Sequence, residues 1–117
     1  MDDPLFPGYL RVIWKDHIAE VSDLSTQDRK HLFDVLYVVE TAMRDIMNPD
    51  KVNWAQFGNM VPHLHWHIIP RFKDDTHFPE SIWGHKQREY DSQKLQQRQD
   101  LASLLTKELP KHLEKIA

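Results

Sequence analysis

From His63 to Ile69 the chain reads His-Leu-His-Trp-His-Ile-Ile, with apolar side chains set between three imidazoles. Only an extended strand sends every second side chain to the same side, so this run specifies a β-strand with two unlike faces. Leu64, Trp66 and Ile68 form the face that seeks a core. His63, His65 and His67 stand on the other face, about 6–7 Å apart at the usual rise per residue. With 8 His in 117 residues, a His-x-His-x-His run arises by chance only about 0.04 times per chain, before any demand for apolar residues between. Whatever the chain folds into must cover one side of this strand and leave the other to the histidines.

The flanking sequence supplies the cover. Tyr9 to Trp14 also alternates, with Leu10, Val12 and Trp14 on one side and Tyr9, Arg11 and Ile13 on the other, after a Pro7-Gly8 turn. Ser25-Thr26-Gln27-Asp28 has the form of an N-cap followed by an acidic residue at N3. Leu32, Val35, Leu36, Val39, Met43 and Ile46 then recur at helical spacing, which predicts a long helix ending at Asn48-Pro49, where proline disfavours helix in the residue before it. Lys51 to Phe57 is rich in β-formers and predicts a strand antiparallel to the histidine strand, whose run is closed by Pro70. Arg71 to Gly84 turns to Asp, Thr, Pro and Gly and reads as a long loop. From about His85 a polar segment carries Leu101, Leu104, Leu105, Leu109 and Leu113, predicting a terminal helix kinked or divided near Pro110. The expectation is an α+β fold in a single domain: residues 1–84 as the unit that holds the histidines, and residues 85–117 as a helical extension of the same domain.

Composition narrows the functions. A chain of 117 residues is one domain, and 4 Trp, 5 Phe and 3 Tyr are enough bulk for one modest core. A net charge of −3 and no run of Lys/Arg give no footprint for a nucleic-acid backbone. No stretch approaches the ~20 apolar residues of a membrane span, and Met-Asp-Asp-Pro has neither a basic nor an apolar leader region, so a cytoplasmic protein is expected. With zero Cys there is no disulfide, thiolate metal site or Cys nucleophile. Chemistry must come from His, carboxylates or hydroxyls.

Three readings of the histidine row compete. A merely solvated face would draw on Thr, Lys, Glu and Ser as well as His. A zinc centre is a second reading, since imidazole is the commonest metal ligand, but a third ligand in line on one strand is poorly placed for a tetrahedron and no carboxylate is interleaved. The third is phosphate chemistry. A neutral imidazole attacks phosphorus near pH 7, and its neighbours can donate to phosphate oxygens or protonate a leaving group.

At this point the chain resembles the histidine-triad (HIT) family, whose signature is His-φ-His-φ-His-φ-φ with φ apolar; His63 through Ile69 matches at every position. Pro7-Gly8 through Arg11-Val12-Ile13-Trp14-Lys15-Asp16-His17-Ile18 is similar to the family's strand and turn ending in a histidine near the pocket. Gly58-Asn59-Met60-Val61-Pro62-His63 sits where the family has a Gly-Gln-Ser/Thr-Val-x-His loop. The stretch to Gly84, with Pro70-Arg71-Phe72, Asp74-Asp75, His77-Phe78-Pro79 and Ser81-Ile82-Trp83-Gly84, resembles a bacterial diadenosine-tetraphosphate-hydrolase-like branch. The resemblance covers roughly residues 2 to 84.

The resemblance implies a nucleotide hydrolase or transferase acting on nucleoside phosphoramidates, adenylated compounds or dinucleoside polyphosphates, with a purine nucleotide as substrate and a homodimer as the assembly. Carried over by position, His65 is the nucleophile that becomes nucleotidylated, His63 helps orient the pocket, and His67 assists at the phosphate or leaving group. His17 falls on an additional pocket histidine, Asn53 on a strand asparagine facing the α-phosphate or ribose, and Asn59 on the family's glutamine. Asp2 or Asp3 takes the ribose contact. Met60 departs from a Ser or Thr that helps hold the leaving group. The family's further N-terminal hairpin has no counterpart before Asp2-Asp3-Pro4, so either the chain is shortened or its pocket is more open than usual in the family. No cofactor is expected, and a divalent cation enters only as the counter-ion of a polyphosphate substrate.

Of the remaining candidates, Asp74, Asp75 and His77 read first as solvated turn chemistry and second as a cation site. Trp83 packs either on its own chain or across a dimer partner near its pocket. The enzyme is weighed against a non-catalytic nucleotide-binding or scaffold protein of the same fold, which binds nucleotide but forms no covalent adduct.

Overall fold

The computed structural model describes residues 3–116. Its elements are β1 (Leu10–Ile13), a single 3-10 turn (Val21–Asp23), α1 (Thr26–Met47), β2 (Lys51–Ala55), β3 (His65–Arg71) and α2 (Ser92–Glu114). The expected α+β fold is what the chain adopts. The three strands form one antiparallel sheet in the order β1-β3-β2, so the histidine strand is central. Leu10, Arg11, Val12 and Ile13 lie opposite Ile68, His67, Trp66 and His65. On the other side Lys51 to Ala55 run against Arg71 to His67.

This register sorts the faces. Leu10, Val12, Val52, Trp66 and Ile68 share one face with Leu64 and pack against Leu32, Leu36, Val39, Met43 and Met47 of α1 and Leu105 of α2. Fully burying each such side chain is worth about 1.5–3 kcal/mol, so this layer is what holds the sheet to the helices. α1 starts where expected: Ser25 Oγ accepts from the Asp28 N–H at 3.1 Å. It stops at Asn48, which takes a left-handed φ of 49° before Pro49. Gly8 turns the chain into β1 with φ +88°, a conformation that favours glycine, and a Cβ there would fall 2.4 Å from Met47 Sδ and force that side chain to shift.

Two expectations are corrected. The histidine strand is not closed by Pro70. It runs to Arg71, because β1 gives out opposite Ile68 and leaves Pro70 at a locally free edge, where a missing N–H is tolerated. The terminal helix begins at Ser92, capped by Asp91, and continues through Pro110 undivided to Glu114. An interior proline removes one helical hydrogen bond and costs ~3 kcal/mol in an isolated helix. Here Leu109 and Leu113, on either side of Pro110, both pack on the core and offset that loss. Among the described residues no helix is long and apolar enough to cross a membrane.

Candidate active site

The opposite face of the sheet carries His65, His67 and Ile69 on β3, Arg11 and Ile13 on β1, and Asn53 and Ala55 on β2. Its far end is closed: Ile69 packs with Phe6 and Tyr9, and Leu5 and Ile82 complete that small cluster. Its near end, around His65 and His67, is open. His63 stands just before the strand, so the row continues through a loop rather than a regular strand.

Each of the three imidazoles has one ring nitrogen tied to the protein. His63 Nε2 donates to the Trp14 carbonyl oxygen at 2.5 Å. His65 Nδ1 donates to the His63 carbonyl oxygen at 2.6 Å. Because a carbonyl can only accept, this bond selects the tautomer of the neutral His65 ring with the proton on Nδ1 and the lone pair on Nε2. His67 Nδ1 shares a hydrogen bond with the Tyr9 hydroxyl at 2.5 Å. Burial, then the neighbouring His65 and Arg11, hold His67 below its ordinary 6.5, so it is neutral at pH 7. Burial pushes the Tyr9 phenol up, against a downward pull from Arg11, so Tyr9 keeps its proton.

A cavity of about 400 Å³ opens beside His65 and His67. Phe57, Met60, Val61 and Trp83 give it an apolar wall, and Asn59 and Ser81 add uncharged polar groups. The rings of Phe57 and Trp83 meet edge to face at 5.3 Å, and Trp83 stands 5.3 Å from the His67 ring. Trp83 therefore packs on its own chain. The loop that carries it is anchored by Arg71, buried at the end of β3, which donates to both oxygens of Asp75 and to the Glu80 carbonyl. Asp75 also accepts from the N–H groups of Phe72, His77 and Phe78. Burial alone would raise its pKa, but the Arg71 hydrogen bond and the N–H groups of Phe72 and Phe78 outweigh that and hold it below the ordinary 3.8. The Asp74-Asp75-x-His77 stretch is thus a turn that is solvated at Asp74 and buried at Asp75. Asp75 is a buried anchor, and Asp74 binds Lys94 and Arg98 of α2. Among the described residues no group of His, Asp or Glu is disposed to hold a metal ion.

Of the residues singled out from sequence, His65, His67 and Asn59 line the cavity. His17 does not line it; it is exposed, with its ring 5.5 Å from that of His63. Asn53 is on the histidine face, but its Oδ1 accepts from Arg71 and it does not line the cavity. Asp3 lies elsewhere: its Oδ1 accepts from the Leu5 N–H, and it lines a separate cavity of about 360 Å³ against α2. Asp2 lies outside the described residues. Sequence reading misses Tyr9, Arg11, Phe57 and Ser81 as site residues. Alternation in β1 does place Tyr9 and Arg11 away from the core, and only the register with β3 brings them to His67.

A family model for the HIT domain matches residues 1–74, which takes in all three strands, α1 and the histidine row. The chain belongs to the HIT family. A bis(5'-adenosyl)-triphosphatase of Saccharomyces cerevisiae (strain ATCC 204508 / S288c) is 30% identical over 76 residues, 60% of this chain and 37% of that protein. The asymmetrical bis(5'-nucleosyl)-tetraphosphatase of Schizosaccharomyces pombe (strain 972 / ATCC 24843) is 30% identical over 77 residues, 62% of this chain and 42% of that protein. This HIT chain therefore spans less than half the length of these curated relatives. The crystal structure of a histidine triad protein from Marinobacter aquaeolei VT8 covers 100% of this chain and 81% of its own, at 29% identity and a TM-score of 0.75.

Proposed function

We propose that this HIT protein is a nucleotide hydrolase or transferase that cleaves at the α-phosphate of nucleoside phosphoramidates, adenylated compounds or dinucleoside polyphosphates through a nucleotidyl-His65 intermediate. The observation that carries the reading is the bond from His65 Nδ1 to the His63 carbonyl, which leaves Nε2 as an unprotonated nucleophile beside an open cavity. The relatives named as dinucleoside polyphosphatases support the substrate class.

In the first step His65 Nε2 forms a bond to the α-phosphorus while the bond from phosphorus to the leaving nitrogen or oxygen breaks. The leaving atom takes the electron pair, together with a proton supplied at the site. His67, with Nδ1 engaged by Tyr9, has Nε2 left to face the phosphate or leaving group. In the second step water attacks the phosphorus, the proton it loses returns to the group that gave one up in the first step, the bond from phosphorus to Nε2 breaks, and nucleoside monophosphate leaves with His65 neutral again. His63 orients His65 through its carbonyl and is itself fixed by Trp14. This chemistry calls on no resident cofactor, because imidazole is the nucleophile; a divalent cation enters only with a polyphosphate substrate.

The working assembly in this reading is a homodimer. β2 is an edge of the sheet, and Trp54 on it, with Phe33 and Tyr37 on α1, is exposed. An antiparallel edge is self-complementary about a two-fold axis, so a second copy can pair with β2 and cover these rings. Mixing the chain with adenylated substrate and weighing the intact protein tests the reading: a nucleotidyl adduct on His65 supports it, and turnover with the adduct on another residue refutes it.

A further inference from the structure

Along β1 the alternation that turns Leu10 and Val12 to the core sends Arg11 and Ile13 to the histidine face. Arg11 lies directly opposite His67, where the Cβ atoms of a cross-strand pair stand about 4.5–5.5 Å apart, and one diagonal step from His65. It is exposed and, among the described residues, enters no ion pair. Asp3, the acidic residue that precedes β1, gives its Oδ1 to the Leu5 N–H and lines the separate cavity against α2.

A cation on a strand is stabilised by an acid across the ladder. No strand position on the histidine face is Asp or Glu: β1 brings Arg11 and Ile13, β2 brings Lys51, Asn53 and Ala55, and β3 brings His65, His67, Ile69 and Arg71. The other two cations stand apart from the reacting histidines, since Arg71 is engaged by Asp75 and Lys51 lies level with Arg71 at the closed end. Across from Arg11 is an imidazole, and a like charge placed there is destabilising, which is one reason His67 stays neutral. His65 must also be neutral to attack. The two imidazoles therefore bring no net charge to a phosphoryl group whose non-bridging oxygens stay anionic from substrate to product. A guanidinium brings paired N–H donors that match two such oxygens, and it keeps its charge at every working pH.

We propose that Arg11 is a catalytic residue of this site, its guanidinium holding the non-bridging oxygens of the phosphoryl group that His65 attacks. This rests on the reading of His65 as the nucleophile and adds the fixed positive charge that stabilises the phosphoryl group while its bond to the leaving group breaks.

Binding and turnover of the full chain at pH 8, above the ordinary imidazole value, test it in the wild type, Arg11→Gln and Arg11→Lys. Calorimetry compares adenosine 5'-monophosphate with adenosine. The affinity ratio of the two falls about ten-fold in Arg11→Gln, adenosine binds as before, and Arg11→Lys, which keeps the charge without the fork, recovers part of the ratio. On adenosine 5'-phosphoramidate, which has one phosphorus, kcat falls about 10²–10³-fold in Arg11→Gln, and on diadenosine triphosphate it falls by the same factor. An unchanged affinity ratio, adenosine binding that weakens as much as that of the monophosphate, an unchanged kcat, or a loss confined to diadenosine triphosphate, which would put the guanidinium on a more distant phosphate, would each overturn the proposal. Should Arg11→Gln fail to fold, Arg11→Met, which keeps the apolar stem, takes its place and is judged by the same outcomes. If the wild type turns over neither substrate and forms no adduct, the enzyme reading fails and with it the catalytic role, while the affinity ratio still decides whether Arg11 holds the phosphate.

Discussion

The chemistry of this site depends on which nitrogen of each imidazole holds a proton, and the protein settles the matter for His65 with a single backbone carbonyl. His67 is governed by a side chain instead, so it is open to substitution. Tyr9→Phe keeps the buried ring and removes the hydroxyl that engages His67 Nδ1. The expected result is a fall in kcat of about 10–100-fold, within the range ascribed to general acid-base groups, and a stability loss of only about 1 kcal/mol. An unchanged kcat would show that Tyr9 does not position His67. Nuclear magnetic resonance titration of the same residue should place His67 below 6.5, since burial, His65 and Arg11 all disfavour its charged form. The histidines are legible in the sequence because a period of two is a local property. Tyr9 is not legible as a partner, since the register that joins it to His67 belongs to neither strand alone.

Among the elements, β3 and the loop after it are fastened by one buried ion pair, with side chains of Arg71 and Asp75 only 2% and 5% exposed. Removing one member leaves a buried charge unpaired, so Asp75→Asn should cost roughly 3–5 kcal/mol in denaturant unfolding and loosen the loop that carries Trp83. A loss below about 1 kcal/mol would mean that the loop is held by other contacts. The pH dependence has a definite sign. Asp75 is held below 3.8, so its contribution is fully present above the ordinary carboxylate value and is lost as the pH falls through its own lower value. The acid-unfolding midpoint of the wild type should therefore lie below that of Asp75→Asn. In the sequence Asp74-Asp75 reads as turn chemistry because a loop composition gives no sign of burial; an Arg four residues before an Asp is the available signal. Of the kink or division expected at Pro110 the division does not occur, for a related reason: the cost of a proline is local while the packing of Leu109 and Leu113 that offsets it is tertiary.

For the whole molecule, one face of the sheet is given to the core and the other to histidines, which leaves the β2 edge and the rings of Phe33, Tyr37 and Trp54 exposed, the surface that the proposed homodimer would cover. Light scattering at micromolar concentration should give twice 14.0 kDa, and Trp54→Lys should shift the protein toward the monomer; a wild type that scatters as 14.0 kDa argues against the dimer. The α+β arrangement is legible as a whole because strand, helix and strand each announce their period and their ends. The central claim is that His65 attacks phosphorus, and intact-protein mass spectrometry after brief mixing with an adenosine 5'-phosphoramidate tests it most directly. The account predicts an acid-labile adenylyl adduct that maps to His65, is absent in His65→Asn with nucleotide binding preserved, and is still detectable in His63→Asn and His67→Asn. Near wild-type turnover by His65→Asn, or an adduct on another histidine, would contradict it.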